Sequence, residues 1–225
     1  MYTIYSFQFL SEKGEREREK MNKDRRRQIV LNACLNGKLS YLEKAFEDGH
    51  VDEEMMCEEI EKGKTPIFLA ASAGNLNVVK FLIARIGGKE KKKCDDMMTP
   101  LHIACFNNHL KIARLLYSKL GYSLKSMDSR GYLPLHYACI GGHRDVVLWI
   151  RDVCGESSLE LCTKSDVTPM DIATACGHLE LQRTLRFFGS KDESLFPQMH
   201  AVSDHESQKE KLTGKKFLVH AMLKK

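Results

Sequence analysis

Apolar and polar positions along this chain follow an order that returns four times. Each return sets a Pro ahead of apolar and small residues: Thr65-Pro66-Ile67-Phe68-Leu69-Ala70, Thr99-Pro100-Leu101-His102-Ile103-Ala104, Leu133-Pro134-Leu135-His136-Tyr137-Ala138 and Thr168-Pro169-Met170-Asp171-Ile172-Ala173. The copies begin 34, 34 and 35 positions apart, and each is followed by a turn pair: Gly74-Asn75, Asn108-His109, Gly142-His143 and Gly177-His178. A second apolar set then recurs at helical spacing, as Leu76, Val78, Val79, Leu82, then Leu110, Ile112, Ala113, Leu116, then Val146, Val147, Ile150, and finally Leu179, Leu181, Leu185. The pattern predicts a short helix, a tight turn and a second helix in every copy. Thr is expected to cap the first helix with its hydroxyl, Pro to fill the first helical position, where a missing N–H costs nothing, and Gly to supply positive φ in the turn. Such a helix pair cannot bury both its faces alone, so the copies must stack.

A period near 33 carrying Thr-Pro-Leu-His-x-Ala resembles the ankyrin-repeat family, over about residues 29 to 189. The resemblance implies an all-α fold, an ankyrin-repeat solenoid of helix-turn-helix units with β-hairpin-like connecting loops and a concave binding face. It names no partner. Upstream, Gln28 to Ala33 fall in the signature slot and Gly37 in the turn slot, followed by Leu39, Leu42, Ala45 and Phe46, a degenerate first repeat. Downstream, Gln182, Thr184 and Arg186 stand where Val79, Phe81, Ile83 and Val147, Trp149, Arg151 stand in other copies, so a solvated terminal face is expected there. The expectation is five repeats, at about 29–60, 61–94, 95–128, 129–163 and 164–189, capped at both ends and monomeric. A charged flank, 1–28, precedes them and a polar to basic tail, 190–225, expected to be disordered, follows.

Departures from the pattern carry their own expectations. The hairpin Gly is kept as Gly63 and Gly131 but replaced by Met97 and Asp166, which predicts looser turns. Phe68 and Asp171 replace the signature His, whose hydrogen bonds are then lost or changed. Leu133 replaces the capping Thr at a cost of roughly 1 kcal/mol. Arg144 takes a Leu slot and is expected to send its head to solvent.

The chain carries eight cysteines and nine histidines. Cys34, Cys105 and Cys139 share one repeat slot that calls for a small side chain, and no Cys-x-x-Cys pair occurs, which favours free thiols and a reducing compartment, cytoplasm or nucleus. His102 and His136 are signature residues, and His109, His143 and His178 precede second helices. Repetition every 34 or so residues puts them on successive layers rather than at ligand spacing, so the reading is of no metal, no cofactor and no catalysis. No phosphate loop, Gly-x-Ser-x-Gly or Gly-x-Gly-x-x-Gly is present. Met1 to Leu10 lacks a basic lead-in and a cleavage site, and no apolar run approaches the roughly 18 residues of a membrane span.

Function is therefore expected on the variable slots, at hairpin tips and along the first-helix surface: Lys62, Lys64, Asp96, Met98, Arg130, Tyr132, Ser165 and Val167 at the tips, with Ser72, Phe106, Asn107 and Ile140 beside them. Exposed Met98, Phe106, Tyr132 and Ile140 would anchor a protein partner. For Phe106 and Ile140 a core position is an equal alternative, whereas for Arg130 and Tyr132 exposure is favoured. The expectation is a non-catalytic scaffold or adaptor for a protein partner. A targeting fragment of a larger channel or enzyme, and a net charge of +5 acting on nucleic acid or acidic membrane, stay open as alternatives. Membrane contact would come only through the basic tail, Lys209 to Lys225. The acidic connection Asp52 to Glu61 and the basic one Lys89 to Lys93 offer steering charges, with local ion pairing the favoured reading.

Overall fold

The structure is a computed structural model and describes residues 23–60, 63–86 and 94–189. Lys62, the basic connection at Lys89 to Lys93 and the whole tail lie outside the described residues. Among those described, the chain is all-helical, with no β-strand. Helix α1 runs through residues 23–36, followed by α2 (Leu39–Glu47), α3 (Glu53–Cys57), α4 (Pro66–Ala73), α5 (Leu76–Ile86), α6 (Pro100–Phe106), α7 (Leu110–Leu120), α8 (Pro134–Gly141), α9 (Arg144–Cys154), α10 (Pro169–Ala175) and α11 (Leu179–Gly189). Five helix pairs result, the first being the degenerate α1/α2. The contacts divide the chain into two compact units, one ending at Cys94 and one beginning at Asp95.

In each unit the apolar positions of both helices of a pair face inward. Val30, Ala33, Leu42, Ile67, Leu69, Val78, Val79 and Leu82 form the core of the first unit. Leu101, Ala104, Ile112, Leu116, Leu135, Val146, Ile150, Ile172, Leu181 and Leu185 form that of the second, where α8 packs between α6 and α10. Burying side chains of this size contributes about 1.5–3 kcal/mol each, which short helices of 7 to 11 residues need, since alone they are marginal in water. Cys34, Cys105 and Cys139, the shared slot, are wholly buried, and all eight cysteines carry free thiols. Burial pushes the Cys34 thiol up to about 12 and raises those of Cys105 and Cys139 as well, so these thiols pack as small apolar groups and are poor nucleophiles.

The first-helix caps are only partly those expected. Thr168 accepts the Asp171 N–H on its hydroxyl at 3.1 Å, while Asp171 Oδ2 accepts the Thr168 N–H at 3.1 Å and hydroxyl at 2.9 Å, so Asp takes over the box that His makes elsewhere. Thr65 makes no side-chain cap bond. Leu133 has no hydroxyl to offer, yet its N–H donates to His136 Nδ1 at 2.9 Å, and half of the box survives.

The other departures have outcomes of their own. The turns at Met97 and Asp166 keep the positive φ of the glycine turns, 58° and 53°, beside 70° and 83° at Gly63 and Gly131. The hairpin geometry overrides the steric preference of the two side chains. Arg144 is exposed, as expected, but the end face is not simply solvated. Arg144 Nε donates to Thr184 Oγ1 at 3.0 Å, and Thr184 is 8% exposed, so two departures from the apolar pattern satisfy each other across the last two repeats. The lengthened acidic connection folds as α3, capped by Asp52 Oδ1 accepting the Met55 N–H at 2.8 Å, and inserts Met55 and Met56 into the first unit. Glu58 just beyond it pairs with Lys23 at 3.0 Å and Arg27 at 3.2 Å, and the Lys23 hydrogen bond leads in holding its carboxyl below the ordinary range.

Gly142 has φ 71°, and a Cβ there would stand 2.6 Å from the His178 ring. Gly142→Ala should lower stability by about 2 kcal/mol, whereas Met97→Gly should raise it by about 1 kcal/mol by relieving a left-handed side chain. Urea denaturation of both variants beside the unaltered chain checks the two opposite signs.

Candidate functional site

Two series of polar side chains join successive repeats. The first uses the residue before each second helix. Asn75 Nδ2 donates to the carbonyls of Cys34 at 2.6 Å and Leu35 at 3.1 Å, His143 Nε2 bonds the Phe106 carbonyl at 2.7 Å, and His178 Nε2 bonds that of Ile140 at 2.8 Å. Each acceptor is a carbonyl at the end of the preceding first helix, where no intrahelical donor exists. The second series uses the signature His. His102 Nδ1 accepts the Thr99 N–H at 3.1 Å and His136 Nδ1 that of Leu133, so both rings carry their proton on Nε2. That nitrogen reaches forward, from His102 to the carbonyls of Ser126 at 3.0 Å and Tyr132 at 3.2 Å, and from His136 to that of Leu161 at 2.9 Å. The imidazoles are thus engaged at both nitrogens. Among the described residues no group of three or more His, Cys, Asp or Glu converges as for a metal.

The hairpin edge of the second unit holds a cluster of polar side chains around Asp128. Asp128 has a wholly buried side chain, and its Oδ1 accepts the N–H groups of Arg130 at 2.9 Å and Tyr132 at 2.7 Å. Oδ2 accepts the Tyr137 hydroxyl at 2.8 Å and lies 3.5 Å from Arg130 Nε. Arg130 Nη2 in turn donates to Tyr137 Oη at 2.9 Å, and its guanidinium carbon stands 5.4 Å from the centre of the Tyr132 ring. Burial, and then the hydrogen bond to Asp128, raise the Tyr137 phenol well above its ordinary value, which keeps it a neutral donor. Thr163 plays the part of Asp128 one repeat on, accepting the N–H groups of Ser165 at 3.3 Å and Val167 at 3.2 Å on its hydroxyl.

These contacts sort the expected binding residues. Asp96, Arg130 and Ser165 are exposed at adjacent tips, linked by Ser129 N–H donating to the Asp96 carbonyl at 2.9 Å and Lys164 Nζ to that of Ser129 at 3.0 Å. Met98, Phe106, Asn107 and Ile140 are half-buried. Tyr132, expected to be exposed, is 4% exposed, because Asp128 draws its backbone inward and its ring packs against His136 and Tyr137 at 5.7 and 5.9 Å. Val167 is likewise buried, at 6%. Lys64 and Ser72, both half-buried, belong to the first unit. Asp128, Tyr137 and Thr163 were not among the expected residues. The signal was present in Asp128, which stands three residues ahead of the hairpin Gly131, the spacing at which an Asx side chain closes a turn.

In the first unit, a depression of about 380 Å³ lies over α2 and α5, lined by Glu43, Glu47, Phe81, Ala84 and Arg85. The Arg85 guanidinium already covers its aromatic wall, 4.5 Å from the centre of the Phe46 ring and 5.5 Å from that of Phe81.

A family model described as ankyrin repeats in three copies matches residues 30–128, and one described as a single ankyrin repeat matches residues 130–158. The chain belongs to the ankyrin-repeat family. The pair α10/α11 follows the matched stretch and carries the same turn, cap and joining hydrogen bond, the last from His178. Ankyrin repeats are in general protein–protein interaction modules. No curated protein matches the chain. No described helix is long and apolar enough to cross a membrane.

Removing the Asp128 carboxylate would strand two buried donors, the Tyr132 N–H and the Tyr137 hydroxyl, and leave the half-buried Arg130 N–H to water, so Asp128→Ala should cost about 3 kcal/mol, and Asp128→Asn less, read from chemical denaturation. Burial lowers the His136 pKa below its ordinary 6.5. The unfolded chain then binds a proton that folded His136 refuses, so this contribution to stability is whole above pH 6.5 and is lost as pH falls beneath it. Titration of the His136 ring by NMR should show a midpoint below 6.5, and the denaturation midpoint should fall between pH 7 and pH 5, less so in His136→Gln.

Proposed function

We propose that this ankyrin-repeat chain is a non-catalytic scaffold or adaptor that grips a partner protein along the hairpin tips and first-helix ends of repeats three to five. The observation that carries this reading is the tip row of Asp96, Arg130 and Ser165, tied to one another through Ser129 and Lys164 and bordered by half-buried Met98, Phe106 and Ile140. Adjacent tips tied through their backbones, with an oriented Arg130 among partly exposed apolar groups, offer a partner a rimmed contact. The imidazoles of His102, His136, His143 and His178 join repeats, and the Cys34, Cys105 and Cys139 thiols are buried, which supports an architectural rather than a catalytic use of these residues.

Capture from cell lysate by the full chain, compared with Asp96→Ala, Phe106→Ala, Arg130→Ala in one variant, tests the proposal. All three side chains are at least partly exposed, so circular dichroism and melting should confirm that the variant stays folded. A partner held by the unaltered chain and bound at least roughly tenfold more weakly by the variant is the expected result. Equal capture by both would move the contact to another surface.

A further inference from the structure

The tip of the fourth repeat has features that a turn does not require. Closing the turn needs only the Asp128 Oδ1 contacts to two backbone N–H groups. Beyond these, the Arg130 guanidinium is fixed from three sides: by Asp128 Oδ2 near Nε, by Tyr137 Oη at Nη2, and by the Tyr132 ring. Its side chain nevertheless stays 43% exposed. A guanidinium carries five N–H donors, of which Nε–H faces Asp128 and one of Nη2 is taken by Tyr137, so three remain for a ligand. A fork whose orientation is already set loses little entropy on binding a planar partner.

We infer that Arg130 is the residue that selects the partner, by accepting a carboxylate from an Asp or Glu side chain of a peptide segment laid along this edge. Charge and geometry fix the class. Asp128 balances Arg130, and Lys164, whose Nζ sits on the carbonyl of Ser129, is offset by the exposed carboxylates of Asp96 and Asp166 on the flanking tips. The free face of the Arg130 fork fits one planar carboxylate, whereas a dianion would meet no surplus of positive charge to compensate it. The neighbouring surface sets what flanks the acidic residue. Tyr137, which holds Arg130, meets the Phe106 ring edge-on at 6.2 Å, so an apolar side chain next to the carboxylate would reach Phe106. Asp95 and Asp96 lie exposed on the preceding tip and disfavour acidic residues on that side. Tyr137 is here a positioning residue, acting through Arg130.

The inference rests on the proposed binding edge, and the test separates the two. Phage-displayed random peptides are selected on the immobilised full chain and on Arg130→Gln. The unaltered chain should select peptides with an Asp or Glu beside a large apolar residue, and Arg130→Gln should lose that preference. A synthetic copy of a selected peptide should bind Arg130→Gln about tenfold or more weakly, and Tyr137→Phe, which leaves the charge in place, several-fold more weakly. Lys164→Gln, a change at an exposed side chain, supplies a second reading should Arg130→Gln fold poorly, and should weaken the same peptide. Selection of peptides without acidic preference, or an acidic preference that survives Arg130→Gln, would overturn the role of Arg130 and leave the binding edge standing. Failure of the folded chain to select any peptide would count against both.

Discussion

Within each unit, stacked short helices leave backbone carbonyls open at first-helix ends and in connecting loops, and the packing of one repeat on the next depends on closing them. The imidazoles do this in two directions. His143 and His178 reach back to the carbonyls of Phe106 and Ile140, while His102 and His136 reach forward to those of Ser126, Tyr132 and Leu161. Each such bond contributes about 1 kcal/mol net, and most of their acceptors are half-buried, with the Tyr132 carbonyl buried, which ties the register of one repeat to the next. The glycines follow from this. Gly142 must be bare as well as left-handed, because the His178 ring of the following repeat lies where its Cβ would be.

This constraint explains which features were legible in the sequence. Helix pairs, turn glycines, the small Cys slot and the architectural role of the histidines all repeat with the period, and a repeated residue type reports a repeated contact. In the degenerate first pair, α1/α2, Gly37 keeps the positive φ, 67°, of the later turns, with Asn75 against it. What escaped is what occurs once. Helix α3 arises where Asp52 caps a connection longer than the others: Gly37 and Gly74 stand 37 positions apart, against 34 or 35 between the later turn residues. The Arg144 and Thr184 contact replaces apolar packing by a hydrogen bond between two slots that, taken singly, read as exposed.

Tyr132 shows why the candidate site was harder to read than the fold. Its slot also holds Lys64, Met98 and Val167, so slot identity fixes a backbone position and not a side-chain direction. The direction is set by Asp128, four residues earlier, where the other repeats have Ile60, Cys94 and Thr163. Only Asp and Thr can accept the N–H of the tip residue, and in those two repeats Tyr132 and Val167 are drawn inside. Met98, following Cys94, stays half-buried. Exposure at a tip is thus decided by the acceptor at the base of its hairpin.

The same base residue separates two uses of the edge. Drawing Tyr132 inward removes an aromatic anchor from the surface, but it places a ring beneath the Arg130 guanidinium and brings the Tyr137 hydroxyl within reach of both Asp128 and Arg130. The fourth tip gives up contact area and gains an oriented cation. Area without orientation confers little discrimination between partners, whereas a fixed charge rejects any segment that cannot meet it. On the proposed reading Asp128 would bear on stability and on recognition together, and a partner at this edge would read the hydrogen bonds of the turn as much as the side chains at its tip.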